Sequence, residues 1–392
     1  KDGFEIFDFD LNIKNKKFQK VDVELQKVEL GEFDSYMLKE IMEQPFSLSQ
    51  TMLGRVKENE ITLGGINKYV DKLLEAKRII IIGCGTSWHA ALTAEYFLEK
   101  YLKIPVEVEY ASEFRYRNPI IYESDIVFVV SQSGETADTL EATKIAKEKG
   151  ATVLGIVNSV GSSIARETHE GCYLHAGPEI GVASTKAYTS QLLVFFMIGI
   201  KAASIKNNIS DKKYLKMISQ LKELPDKVEE VLSNVPQIED IAKKIFKKDH
   251  CLFMSRGNNF PVALEGALKL KEISYIHAEG YPAAELKHGP IALIDENMPV
   301  VVICTKSDEY DKILSNVMEI KARKAIVIGI VDPKNFHMKK HFDYSIEVPN
   351  TSKDFSPIVN QIPLQLIAYF CAIYRGCDVD KPRNLAKSVT VE

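Results

Sequence analysis

The stretch Arg78-Ile79-Ile80-Ile81-Ile82-Gly83-Cys84-Gly85-Thr86-Ser87-Trp88 decides how this chain folds. Four consecutive isoleucines cannot divide themselves between a wet and a dry face, so the run reads as a strand buried on both sides. That is the habit of parallel sheets covered by helices. Gly83 and Gly85 end the strand, and an Ala-rich helix is expected from Trp88 to Lys100. The turn does not suit a nicotinamide dinucleotide, because Trp88 stands where the G-x-G-x-x-G pattern needs its third glycine.

Outward from this unit, Pro105 to Glu109, Asp125 to Val130 and Thr152 to Val157 carry strand patterns, and a helix is expected from Ala137 to Lys149. The order recurs downstream: a strand at Cys251 to Met254, a helix from Pro261 to Tyr275, a strand at Pro299 to Ile303, a helix from Tyr310 to Ala322 and a strand at Ala325 to Val331. Corresponding strand ends lie roughly 170 residues apart, so the chain reads as two copies of one α/β parallel-sheet unit related by pseudo-symmetry. Between them, the Lys-rich helical stretch from Lys206 to Lys247 reads as a linker and a dimer surface. Upstream, helices are expected at Tyr36 to Gln44 and Ser47 to Lys57. Phe4 to Leu25 reads as two strands, too small a hairpin to stand alone, and so as the end of something larger or a flap on the main body.

Composition narrows the function classes. With 392 residues, 50 Lys plus Arg against 54 Asp plus Glu and a net charge of −4, the chain lacks the unbalanced basic surface of a nucleic-acid binder. Its longest unbroken apolar run, Leu192 to Ile200, is about nine residues against the roughly 20 that span a bilayer, so no membrane segment is expected. Lys1-Asp2-Gly3 carries no signal core. The six cysteines are widely spaced without a C-x-x-C pair, which argues against a zinc site and for reduced thiols in the cytoplasm. Cys84 reads as a buried small hydrophobe rather than a reactive thiol.

Ligands of open parallel sheets bind beyond the carboxyl ends of the strands. There, Ser131-Gln132-Ser133-Gly134-Glu135-Thr136 offers three hydroxyls at a helix start, more than one cap requires and suited to a phosphate monoester. In the second unit, Glu265, Lys269 and Glu272 fall on one helical face. From spacing alone this is a solvated ion-pair stripe. Set in a cleft instead, Glu272 becomes a proton-transfer base tuned by Lys269. His288, before Gly289-Pro290, is expected in an exposed turn. Lys387 in the tail reads as a solvated lysine, or, in a closed site, as an amine able to form a Schiff base with a carbonyl substrate.

Six strings taken together resemble the glutamine–fructose-6-phosphate aminotransferase family, the glucosamine-6-phosphate synthases. They are Cys84 to Ser87, Ser131 to Thr136, Glu179 to Ala187, Ala263 to Glu272, Glu285 to Pro290 and Pro382 to Glu392. The resemblance runs from about Met37 to the end. It implies two tandem SIS (sugar isomerase, flavodoxin-like) domains: residues 31–215 with N-terminal helices, 216–370, and a catalytic tail at 371–392. Residues 1–30 would be the remnant of a glutaminase domain and its linker. The cysteine nucleophile of that domain has no counterpart here, so no glutamine hydrolysis is expected of this chain.

What the resemblance implies for the site is specific. Fructose 6-phosphate would bind with its phosphate on Ser131, Gln132, Ser133 and Thr136, while Ser87, Val182, Lys269 and Ala386 contact the rest of the sugar. Lys387 would form the Schiff base, His288 would assist ring opening from the neighbouring subunit of a homodimer, and Glu272 would move a proton from C1 to C2. Thr86, Glu265 and Arg383 would support the pocket. The product would be glucosamine 6-phosphate, at the first step of hexosamine (UDP-GlcNAc) synthesis, with ammonia from glutamine in the full enzyme and no metal or other cofactor. The competing expectation is a non-catalytic sugar-phosphate sensor built on the same units, although the stretch before Arg78 lacks the basic helix-turn-helix such a regulator carries.

Overall fold

In the computed structural model, residues 12–13, 29–333 and 339–391 are described. The hairpin expected at Phe4 to Leu25 lies almost wholly outside them. The folded body opens with α1 (Tyr36–Met42) and α2 (Gln44–Met52). Pro45 sits in the first turn of α2, where its missing N–H leaves no bond unmade, so this helix starts earlier than the expected Ser47.

The first unit holds β1 (Arg78–Gly83), α3 (Thr86–Leu102), β2 (Val106–Tyr110), β3 (Asp125–Ser131), α4 (Ala137–Glu148), β4 (Thr152–Val157) and β5 (Glu170–Tyr173). It ends in the long helix α5 (Lys186–Ile205). Three helices follow, α6 (Asp211–Lys222), α7 (Leu224–Leu232) and α8 (Val235–Ile245). The second unit holds β6 (His250–Ser255), α9 (Phe260–Ser274), β7 (His277–Pro282), β8 (Pro299–Cys304), α10 (Tyr310–Lys321), β9 (Ile326–Val331) and β10 (Tyr344–Glu347), and closes with α11 (Ser356–Tyr374). That last helix runs past residue 371, where the tail was expected to begin.

Every described strand pairing within the two sheets is parallel. The sheets run β2-β1-β3-β4-β5 and β10-β9-β8-β6-β7. Numbered within its own unit, each sheet has the order 2-1-3-4-5, so the duplication extends to topology and the fold is flavodoxin-like. In each, the strand order reverses between the first and third strands, opening a crevice at their carboxyl ends. The isoleucines 79–82 are all 2% exposed or less, as a doubly covered strand requires.

The stretch from Lys206 to Lys247 is not the linker its lysines suggested. Met217, Ile218 and Leu221 on α6, Leu224, Val228 and Val231 on α7, and Ile238 and Ile245 on α8 belong to the main core, and α7 and α8 pack on α11. Two helices, Lys186–Ile205 and Ser356–Tyr374, have the length and composition to cross a membrane, but 83% and 89% of their most apolar windows are buried inside the protein. Both are core helices, apolar all round because they are covered all round.

Close backbone approach marks where β7 meets α9. A Cβ at Gly280 would stand 2.8 Å from the Leu264 Cα and 2.9 Å from its N. Gly280→Ala should therefore destabilise the protein by about 1–3 kcal/mol through overpacking. Gly64→Ala, where a Cβ meets nothing within 4 Å, should leave stability unchanged. Paired denaturant melts check both; equal midpoints would contradict the packing.

Candidate active site

The loop after β3 is shaped by its own hydroxyls. Ser131 Oγ accepts from Gly134 N at 2.9 Å, and Ser133 Oγ accepts from Glu135 N at 3.2 Å. The Glu135 carboxylate accepts from Ser163 N at 2.8 Å, which turns that charge away from the loop's concave side. Gly134 has φ +68°, and a Cβ there would fall 2.5 Å from Ser162 Cβ, so only glycine fits. Ser131 Oγ also lies 3.4 Å from Oγ1 of Thr136, the N-cap residue of α4, so the hydroxyls gather at a helix N-terminus, where the dipole favours an anion.

The loop walls a cavity of about 190 Å³. Gln132 of the loop lines it too, as do Thr86 and Ser87 from the first turn of α3 and Val182. Ser87 Oγ is fixed by Gln191 Nε2 of α5 at 2.9 Å. Glu272 reaches in from the second unit, and Ala386, Lys387 and Ser388 from the tail. Ser133 and Ser388 share a hydroxyl contact of 2.9 Å, and Ala137 N donates to Val389 O at 3.0 Å, so the tail closes directly over the loop.

Behind Glu272 the expected solvated stripe is buried. Glu265 is fully enclosed and Lys269 is 1% exposed, because α9 packs against α3 and α11 rather than facing water. Lys269 Nζ donates to Glu272 Oε2 at 2.7 Å and to Thr86 Oγ1 at 3.1 Å, and lies 3.4 Å from Glu265 Oε1. Glu265 Oε1 accepts from Thr86 Oγ1 at 3.0 Å, and its Oε2 lies 2.7 Å from His89 Nδ1. Burial alone would strip the proton from Lys269, but the Glu265 and Glu272 carboxylates hold its pKa above the ordinary lysine value. Glu265 and Lys269 thus stand behind the wall rather than in it.

Lys387 Nζ donates to Glu179 Oε2 at 2.7 Å and to Gly181 O at 2.8 Å. Burial of Glu179 would raise its pKa, but the Lys387 ammonium and the Thr185 and Ala187 amides bring it below the usual carboxylate range. Arg383 lies outside the cavity, stacked 4.1 Å over the Tyr275 ring beside Glu272. His288 ends a short 3-10 turn, is exposed, and does not line the cavity of its own chain. Cys84 lines the cavity, with burial raising its thiol pKa, which keeps it protonated. Sequence reasoning gave no role to Glu179, His89 or Ser388. Glu179 and Ser388 lie within strings that carry the resemblance, whereas His89 shows itself only through its partner Glu265.

The second unit's crevice forms a separate cavity of about 200 Å³. Its loop repeats the turn, with Ser307 Oγ accepting from Glu309 N at 3.2 Å. Here Asp308, Glu309 and Asp354 line the space together with Lys100, paired with Asp354, and Lys353, paired with Asp308, and the Glu309 carboxyl lies against Gly257.

The SIS domain family model matches residues 72–201 and 244–375. A glutamine–fructose-6-phosphate aminotransferase (isomerizing) of Chlorobaculum tepidum is 55% identical over 97% of this chain, which spans 62% of that relative's length. Among solved structures, the C-terminal domain of glucosamine-fructose-6-phosphate aminotransferase from Francisella tularensis superposes with a TM-score of 0.85 at 43% identity, covering 90% of this chain and 99% of that one. A glucosamine-6-phosphate deaminase from Thermotoga maritima gives 0.69 at 25% identity, over 91% and 99%. With two copies of the family matched in its two sheets and a solved relative matched nearly end to end, this chain belongs to the SIS domain family, in its glutamine–fructose-6-phosphate aminotransferase branch.

Proposed function

We propose that this chain is the isomerising part of a glutamine–fructose-6-phosphate aminotransferase, turning fructose 6-phosphate into glucosamine 6-phosphate. Ammonia would come from a glutaminase domain in a longer protein. One observation carries the reading: the tail brings Lys387 into the cavity that already holds Glu272 and the Ser131 to Thr136 loop. A sensor needs the loop alone.

The parts divide the chemistry. The loop hydroxyls hold the phosphate beside the N-terminus of α4, which places the carbonyl end of the open-chain sugar toward Glu272 and Lys387. The Lys387 amine adds to C2 and water leaves, giving an imine. Ammonia then displaces the lysine to leave the fructosimine. Glu272 takes a proton from C1 and returns it to C2, giving the 2-amino aldose, with Lys269 orienting its carboxylate. Ring opening is assigned to His288. Because that residue is exposed and outside its own chain's cavity, we assign it to the cavity of a second copy in a homodimer. The six unpaired cysteines suit a reducing, cytoplasmic setting.

Lys387→Ala and Glu272→Gln should each lower the interconversion of fructose 6-phosphate and glucose 6-phosphate by at least about 10²-fold. Borohydride should add the mass of the reduced sugar phosphate at Lys387 in the wild type and in Glu272→Gln, and leave Lys387→Ala unmodified. A wild type that traps no sugar, while still binding it, would make the chain a sensor.

Mixing tests the second copy. His288→Ala and Lys387→Ala subunits, each inactive alone, should regain roughly a quarter of wild-type activity when co-refolded at equal amounts, since about half the dimers are mixed and each carries one intact site. No recovery in demonstrated mixed dimers would place His288 outside the reaction.

A further inference from the structure

Glu40, on α1, is 2% exposed and lies far from the cavity in sequence. Its Oε1 accepts the backbone N–H groups of Ile180 and, at 3.2 Å, Gly181. The same short segment supplies both groups that hold the Lys387 amine, Glu179 Oε2 and Gly181 O. Packing leaves the segment little freedom: a Cβ at Gly181 would stand 3.1 Å from Glu40 Oε2 and 3.5 Å from the Met37 backbone. Asp380 ties α1 to the tail a second time, accepting from Tyr36 N at 2.9 Å and Met37 N at 2.8 Å, while its own carbonyl accepts from Val182 N at 3.0 Å. The Glu40 Oε2 atom has no hydrogen-bond partner among the described residues.

We propose that Glu40 is a positioning residue for Lys387, holding the cradle of Glu179 and Gly181 through the Ile180–Gly181 backbone and setting a second buried carboxyl beside the one that grips the amine. The inference rests on reading Lys387 as the imine-forming lysine.

The electrostatics of the enclosure agree with the geometry. Burial, and then the neighbouring Glu179 carboxylate, push Glu40 up to about 8, against the pull of the Ile180 amide, Lys387 and Lys186. Of these, Lys186 is itself paired, 2.7 Å from Glu43 Oε2. At neutral pH, then, Glu40 is protonated and Lys387 faces one buried carboxylate. As pH rises through about 8 a second negative charge appears beside the Glu179 carboxylate that grips the Lys387 amine. A lysine must lose its proton to attack a carbonyl, so a neutral Glu40 favours the reactive amine.

The test needs no sugar. Trace acetylation by acetic anhydride, read at the Lys387 peptide by mass, reports the free amine from about pH 6 to about pH 10. Glu40→Gln keeps an acceptor for both amides but cannot ionise. Its labelling should match the wild type below about pH 7 and exceed it about 3- to 10-fold above about pH 8.5. Superimposed curves over the whole range would overturn the proposal. Glu40→Ala, which frees the segment, should slow borohydride trapping of fructose 6-phosphate about tenfold at neutral pH, with Glu40→Gln restoring it; wild-type trapping in folded Glu40→Ala would also overturn it. If Glu40→Ala does not fold, the labelling curves decide. Labelling as expected, with no sugar trapped by the wild type, leaves the cradle standing and removes the functional reading alone.

Discussion

Everything at the site depends on a buried ion pair where the two units touch. Glu265 and Lys269 lie on α9 of the second unit, out of water, and satisfy one another through Thr86 and His89 at the start of α3 in the first. Enclosed charges are costly unless every partner is in place, so such a group is weak as a source of stability and strong as a constraint on position. It fixes how the helices cross, and that crossing points Glu272 across the boundary into the first unit's crevice. Neither unit would hold the site alone.

The loop of the proposed phosphate site is built from neutral groups. The Gly134 and Glu135 N–H groups are used within the turn to orient the Ser131 and Ser133 hydroxyls, and the one acidic side chain in the loop is spent on Ser163. Positive charge enters the same cavity separately, on Lys387 of the tail. The hydroxyl loop and the amine thus sit on different elements of the chain.

How much of this is readable in the amino-acid order depends on distance along the chain. The doubly buried strands declared themselves, because runs such as Ile79 to Ile82 admit one reading, and the recurrence of the pattern exposed the duplication. The short outer strands Glu170–Tyr173, His277–Pro282 and Tyr344–Glu347 did not, since edge strands are half exposed and carry Gly, Pro and charged residues that mask any period. The lysines of Lys206 to Lys247 hid three apolar stripes by occupying the opposite faces. At the site, local strings supplied the loop, the α9 face and the tail. Burial of Glu265 and Lys269 was not legible, because spacing describes one helix and burial depends on its neighbours. Glu40 left no trace at all: its partners are about 140 positions away.

The second crevice repeats the turn geometry of the first with a different set of side chains. Its loop has kept the Ser307 turn, yet Asp308 and Glu309 line the space, the Glu309 carboxyl against Gly257 and Asp308 paired with Lys353. Lys100 and Lys353 line the same space, each engaged by an aspartate. Two loops of matching turn geometry thus differ in what surrounds them: the chain's own tail closes over the first, an ion-paired wall over the second.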